Sequence, residues 1–174
     1  MEMSTSTETR IATDAGDDVS ALLLRPPDAR VALVLAHGAG AGMRHRFMDD
    51  LARVLARHDI ATLRYQFRYT DRGQRRPDAR PVLVATVRAA VEAAADLLGD
   101  LPLYAGGKSM GGRMTSHAAA EKPLPGVRGL VFFGFPLHPA GKPGTSRADH
   151  LADVVNGLRV AVVIGMLIKC AEIQ

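Results

Sequence analysis

The 174-residue sequence has one cysteine, Cys170, no tryptophan, and only 5% aromatic residues. A single thiol excludes an intramolecular disulfide and any zinc pattern built on paired cysteines, and it is compatible with a reducing compartment. No two histidines fall at metal-ligand spacing on one helix face, so no metal site is expected. A groove for single-stranded nucleic acid sets aromatic side chains among basic ones. Here the formal charge is +4, from 22 Lys and Arg against 18 Asp and Glu. The basic residues are scattered apart from Arg72, Arg75, Arg76 and Arg80, a cluster read as a solvated loop. No nucleic-acid partner is therefore expected. Long apolar runs are also missing. The longest, Val160–Ile168, falls well short of the ~20 residues of a membrane-spanning helix. The opening residues MEMSTSTETR lack the apolar centre of a signal peptide. No membrane partner is expected, and a cytoplasmic location is the default expectation.

What is present fits one domain over residues 1–174, long enough to bury a real core. Residues 1–9 are expected to be disordered. Two short β-like runs, Arg10–Thr13 and Val19–Leu24, flank the turn residues DAGDD. Val31–Ala36 (VALVLA) is continuously apolar, as expected of a strand covered on both faces. Phe47, Leu51, Val54 and Leu55 recur at helical spacing, so Arg44–His58 is expected to be an amphipathic helix. Ala61–Phe67 is the next expected strand, and a long helix begins near Pro81, a residue suited to a first helical turn. Leu101–Ala105 as strand, Met110–Ala120 as helix and Gly129–Phe135 as strand complete the pattern. Strands alternating with helices imply a doubly wound α/β fold with a mostly parallel sheet, the first two strands lying at one edge.

The stretch LPLYAGGKSMGGRM, Leu101–Met114, concentrates the chemistry. A phosphate-binding loop would need a glycine five residues before Gly107, where Pro102 stands. A dinucleotide fingerprint beginning at Gly38 and Gly40 would need its third glycine at Met43. G-x-S-x-G is satisfied by Gly107-Lys108-Ser109-Met110-Gly111, between an expected strand and an expected helix. Such a turn exposes a serine nucleophile at a helix N-terminus, where free N–H groups favour a developing anion. The plainer alternative is that the glycines only allow close packing. His37-Gly38-Ala39-Gly40-Ala41-Gly42 follows the VALVLA strand, where acyl transfer on this architecture needs an oxyanion donor. The expected donors are the N–H groups of Ala39 and Met110. His37, Gly38 and Gly40 are expected around the pocket, His37 as a hydrogen-bonder that shapes the loop.

These stretches resemble the α/β-hydrolase superfamily. They are most similar to its small dienelactone-hydrolase-like group, which includes bacterial hydrolase-like proteins, an animal testis-expressed protein and a regulatory subunit of a histone-acetyltransferase complex. LAHGAGAGM, ATLRYQFRY, AGGKSMGGRMTSHAAA, GLVFFGFPLHPAGKPG and RADHL carry the resemblance, from about Val31 to Leu151. Gln66 and Arg68 depart from the group's usual RYEFPY tract. The resemblance implies an esterase or dienelactone-hydrolase-like reaction on a small ester or lactone, with Ser109 as nucleophile and no cofactor.

The same resemblance implies a triad in the order serine, acid, histidine, with G-x-x-D after the next strand. The segment 154–174 is off that pattern. Ile168 stands three residues after Gly165, Glu172 is the only acid beyond Asp153, and no histidine follows His150. The fold is therefore expected to be shortened at its C-terminal edge, and the chain to be impaired as a catalyst. The alternatives are a non-catalytic interaction module or a truncated hydrolase. His138, in FPLHP, is expected to shape the pocket, with a lesser chance of acting as the base. His150 is read as part of a solvated helix start, and His117 as too deep in its helix to serve Ser109. Self-association through an uncovered, apolar sheet edge at Val160–Ile168 is expected.

Overall fold

A computed structural model describes residues 5–14, 16–154 and 159–163, the last stretch as backbone. The strands are β1 (Thr7–Ile11), β2 (Val19–Leu24), β3 (Val31–Ala36), β4 (Ile60–Tyr65), β5 (Leu103–Lys108), β6 (Val127–Phe133) and β7 (Arg159–Val163). The helices are α1 (Arg46–Ala56), α2 (Arg68–Asp71), α3 (Arg80–Leu98), α4 (Met110–Glu121) and α5 (Leu151–Val154). All seven strands join one sheet in the order β1-β2-β4-β3-β5-β6-β7. From β4 to β7 every neighbouring pair is parallel, while β1 and β2 add an antiparallel edge.

The period-two alternation of strand side chains divides the core. Leu33 and Leu35 of β3 face α1, where they pack with Met48, Phe47 and Leu51. Ala32, Val34 and Ala36 of the same strand face the larger cluster, which includes Leu83, Val87, Ala90 and Val91 of α3 and Met114 and Ala118 of α4. Small residues on that side of the sheet let α4 approach the central strands closely. The helix α1 begins at His45, whose ring nitrogen accepts the N–H of Phe47 at 3.2 Å. Pro81 sits in the first turn of α3.

Several boundaries differ from the expectation. The first nine residues were expected to be disordered, yet Thr7–Thr9 belong to β1, paired with Leu23–Ala21. Residues 1–4 lie outside the described residues. The strand begun by Ile60 ends at Tyr65, because Phe67 turns to become the N-cap of α2. The GLVFFGF strand stops at Phe133, where Gly134 takes φ 66° and turns the chain. Of the run Val160–Ile168, residues up to Val163 form β7 and the remainder lies outside the described residues.

Candidate active site

Strand β5 ends at Lys108 and α4 begins at Met110, so one residue makes the whole reversal. That residue is Ser109, at φ 50° and ψ −113°. A positive φ is uncommon for a residue with a side chain, and such strain persists only where the surroundings impose it. They do so here. The N–H of Ser109 donates to the Phe133 carbonyl at 3.1 Å, fixing the turn to the end of β6. On the other side, α4 lies against the end of β3. A Cβ at Gly111 would stand 2.5 Å from the Ala36 carbonyl oxygen, and one at Gly107 would stand at the same distance from it. Backbone atoms cannot yield as a flexible side chain can, so both flanking positions require glycine. The Ser109 side chain is half-buried, and its hydroxyl does not cap the helix that it starts. Lys108 is held over the Phe47 ring of α1, 5.0 Å from the centroid.

The loop after β3 reaches the same point. A Cβ on Gly38 would lie 3.7 Å from Ser109 Cβ. Gly38–Ala41 form a tight turn, closed by the Ala41 N–H donating to the Gly38 carbonyl at 3.3 Å, with Gly40 at φ 71°. Ala39, at the exposed tip, has no partner for its N–H among the described residues. Met110 is the first residue of α4, where an N–H has no intrahelical acceptor. The two expected oxyanion donors thus carry unspent N–H groups, Ala39 in the loop that meets Ser109 and Met110 next to it in the chain.

Three bonds from the LRYQF tract hold this loop in place. The Phe67 N–H donates to His37 Nε2 at 3.1 Å, so the ring proton lies on Nδ1, which donates to the Gly38 carbonyl at 2.8 Å. His37 is fully buried, and burial pushes its pKa down. With both nitrogens engaged and the ring neutral, it ties the loop after β3 to the backbone at Phe67. Gln66 Oε1 accepts the Met43 N–H at 3.0 Å, and Arg64 Nη1 donates to the Met43 carbonyl at 3.2 Å. Arg64 is fully buried on β4, and it also donates to Asp49 Oδ1 and Ser6 Oγ. Sequence reasoning missed this arginine, since an Arg inside an apolar strand resembles any edge-strand cation. Arg68 leaves the site altogether and holds Asp17 at 2.5 Å.

The histidines are distributed differently. His138 is exposed in the loop after β6, its Nδ1 2.9 Å from the Pro139 carbonyl, and it makes no hydrogen bond to Ser109. His150 is not part of a solvated helix start. It is half-buried, stacked on His117 with ring centroids 3.7 Å apart, and its Nε2 lies 2.7 Å from Ser116 Oγ. Ser116 spends its own proton on the Arg113 carbonyl, so His150 is the donor in that bond. Clefts of 490, 370 and 320 Å³ lie elsewhere, and none is lined by Ser109 or by residues 37–42. Ala39 and Gly40, in the loop that meets Ser109, are exposed. Among the described residues no three His, Cys, Asp or Glu side chains gather as for a metal ion, and no helix is long and apolar enough to cross a membrane.

The fold is shared with solved structures. A dienelactone hydrolase from Anabaena variabilis aligns with a TM-score of 0.69 at 19% identity, over 98% of this chain and 95% of that one. An alpha-beta serine hydrolase homologue from Coxiella burnetii aligns at 0.68 and 16% identity, over 99% and 97%. A thermostable carboxyl esterase from Bacillus coagulans aligns at 0.62 and 18% identity, over 74% of this chain and only 44% of the esterase. At these identities the likeness is one of fold. No curated protein matches the sequence. A family model described as an alpha/beta hydrolase domain matches residues 29–165, most of the chain, and with the strand–elbow–helix geometry of Ser109 it places the protein in the alpha/beta hydrolase family.

Proposed function

We propose that this protein is a serine hydrolase of dienelactone-hydrolase-like type, acting on a small carboxylic ester or lactone in the cytoplasm. Ser109 Oγ adds to the carbonyl carbon, and the oxyanion is received by the N–H groups of Ala39 and Met110. The seryl proton passes through a solvent water to the departing alkoxide, which leaves as the alcohol, and a second water then cleaves the acyl-enzyme to the acid and returns the proton to Ser109. The single observation that carries this reading is the forced φ of 50° at Ser109 between Gly107 and Gly111, with two unspent N–H groups beside it. The fold neighbours support the same chemistry, since they include a protein named as a dienelactone hydrolase and others named as esterases.

The base is the weak part of the site. No histidine of the described residues is hydrogen-bonded to Ser109, and His37 has both nitrogens committed. An oxyanion hole and binding alone leave about 10³–10⁴-fold acceleration over water. The expected outcome with a fluorophosphonate probe is slow labelling that is lost in Ser109→Ala. Rapid stoichiometric labelling that Ser109→Ala and His138→Ala both abolish would make His138 the base. The uncommitted Ser109 hydroxyl also suits a second reading, a non-catalytic interaction module on a hydrolase scaffold. Complete absence of labelling and of ester hydrolysis in the folded protein would favour that reading.

A further inference from the structure

Between the β1–β2 edge of the sheet and α1 lies a cleft of 370 Å³ that the hydrolase reading does not use. The strand register builds its floor. Glu8 of β1 pairs with Leu22 of β2, and Leu22 pairs with Arg64 of β4, so the three side chains stand in a row on one face. Further along that face α1 covers Leu33 and Leu35 of β3. Leu22 and Leu24 are buried too, yet they join neither apolar cluster of the core. They line the cleft together with Arg44, just before α1, and Arg53, from its last turn.

Charge in the cleft is out of balance. Arg44 holds Glu8, but Arg53 and Arg64 share the single carboxylate of Asp49. Arg53 Nε donates to its Oδ2 at 2.8 Å and Arg64 Nη1 to its Oδ1 at 3.3 Å. Asp50, the next acid on α1, is held by Arg46 instead. Three guanidinium groups therefore meet two carboxylates. Arg64 is the costly one, since its side chain is 1% exposed and its Nε has no hydrogen-bond partner. A buried charge needs a close partner and spent donors to offset its desolvation. Ser6 Oγ accepts from Arg64 Nη2 at 2.9 Å, which leaves the Ser6 hydroxyl proton unspent among the described residues.

We propose that this cleft binds a small organic monoanion, a carboxylate on a short aliphatic chain. The carboxylate lies among Arg44, Arg53 and the Ser6 hydroxyl, where it supplies the missing negative charge above Arg64. Its chain lies over Leu22 and Leu24. Guanidinium forks match the two oxygens of a carboxylate. One excess positive charge suits a carboxylate better than a phosphate dianion, and inorganic phosphate has no use for an apolar floor. The volume fits such a ligand, since small-molecule pockets begin at roughly 300 Å³. The site stands whether or not Ser109 is a nucleophile.

The test is calorimetric titration of the full chain with hexanoate at neutral pH and low ionic strength, with acetate, hexanol and inorganic phosphate as comparisons. Saturable 1:1 binding of hexanoate is expected, at least about tenfold tighter than acetate because its added methylenes meet the leucines. Arg53→Gln and Arg44→Gln should each weaken it about tenfold. Both arginines are exposed, so the variants are expected to fold. Ser109→Ala should bind hexanoate unchanged, which separates this site from the hydrolase reading. In NMR spectra the backbone amide signals of Ser6, Glu8, Leu22 and Leu24 should move with hexanoate. The site would be overturned by no saturable binding below about 10 mM, or by hexanol or phosphate binding as tightly as hexanoate. Binding unchanged in both arginine variants, or amide shifts gathered at Ala39 and Met110 instead, would overturn it as well.

Discussion

At Ser109 the backbone sits at φ 50° and ψ −113°, a region that costs a residue with a Cβ roughly 1–3 kcal/mol. Glycine escapes most of that cost. At an ordinary helix or strand position a glycine is about 0.5–1 kcal/mol worse than alanine. At this position the order should reverse. Ser109→Gly is expected to be about 1 kcal/mol more stable than Ser109→Ala in urea unfolding, a difference set by relief of strain. A glycine variant less stable than the alanine variant would show that the turn is relaxed. Residue-scale chemistry around the turn follows one rule, that buried polar groups are satisfied. His37 and Gln66 each complete a bond that the loop after β3 requires. Arg64 does the same from inside the sheet, although burial lowers its pKa and its Nε is left without a partner.

The helix α4 joins the candidate site to the rest of the fold. Its first turn is pressed against β3, and its last turn is held from α3 by Arg88, whose Nη2 donates to the Ala118 and Lys122 carbonyls. Between them Ser116 and His117 receive His150, which docks the segment before α5 onto the helix. This contact is sensitive to protons. The pKa of His117 is pushed down to about 4, first by burial, then by His150, Arg80 and Arg113. His150 is lowered by burial and then by Arg113 and Arg80, against the opposing pull of Asp153 and Asp149, and His37 is lowered by burial. A histidine with a lowered pKa takes up protons more readily in the unfolded chain. Its stabilising contribution is full above the ordinary value near 6.5 and is lost as pH falls from there toward 4. Melting temperature should therefore fall between pH 7 and pH 4.5. His117→Gln should flatten that slope by an amount equivalent to about 1 kcal/mol, allowing for solvent screening. The carboxylates held low by arginine, Asp17, Asp49 and Asp100, act only below their ordinary value of 3.8 and leave this window untouched. Identical melting at the two pH values would mean that His117 and His150 do not dock in solution.

Among the described residues the sheet ends in β7, which pairs with β6 on one side and stands last in the strand order. Its sequence, RVAVV, is the β-branched, apolar kind that sheets bury. We propose that this edge supports self-association, since an apolar edge strand offers unpaired N–H and C=O groups to another chain. Sedimentation at low micromolar concentration should reveal species larger than a monomer, and a lysine substitution at Val162 should reduce them. A monomer with a cooperative melt would refute the proposal, and would mean that the edge is covered within one chain.

Local patterns in the sequence determined which elements form and where the candidate nucleophile lies. The continuous run VALVLA, the helical spacing after it, and the glycines around Ser109 act over a few residues, and such short-range preferences are legible without the fold. The dienelactone-hydrolase-like resemblance and the parallel sheet with its antiparallel edge were legible for the same reason. What the chain's neighbours in space impose was not. That Gly107 and Gly111 face the Ala36 carbonyl, that Arg64 is buried beneath Met43, and that His150 reaches Ser116 across 34 residues depend on contacts between distant segments. The role of each histidine was decided in the same way. His37 and His150 differ little as letters in a sequence, and only tertiary packing sets which nitrogen meets a backbone amide and which meets a hydroxyl.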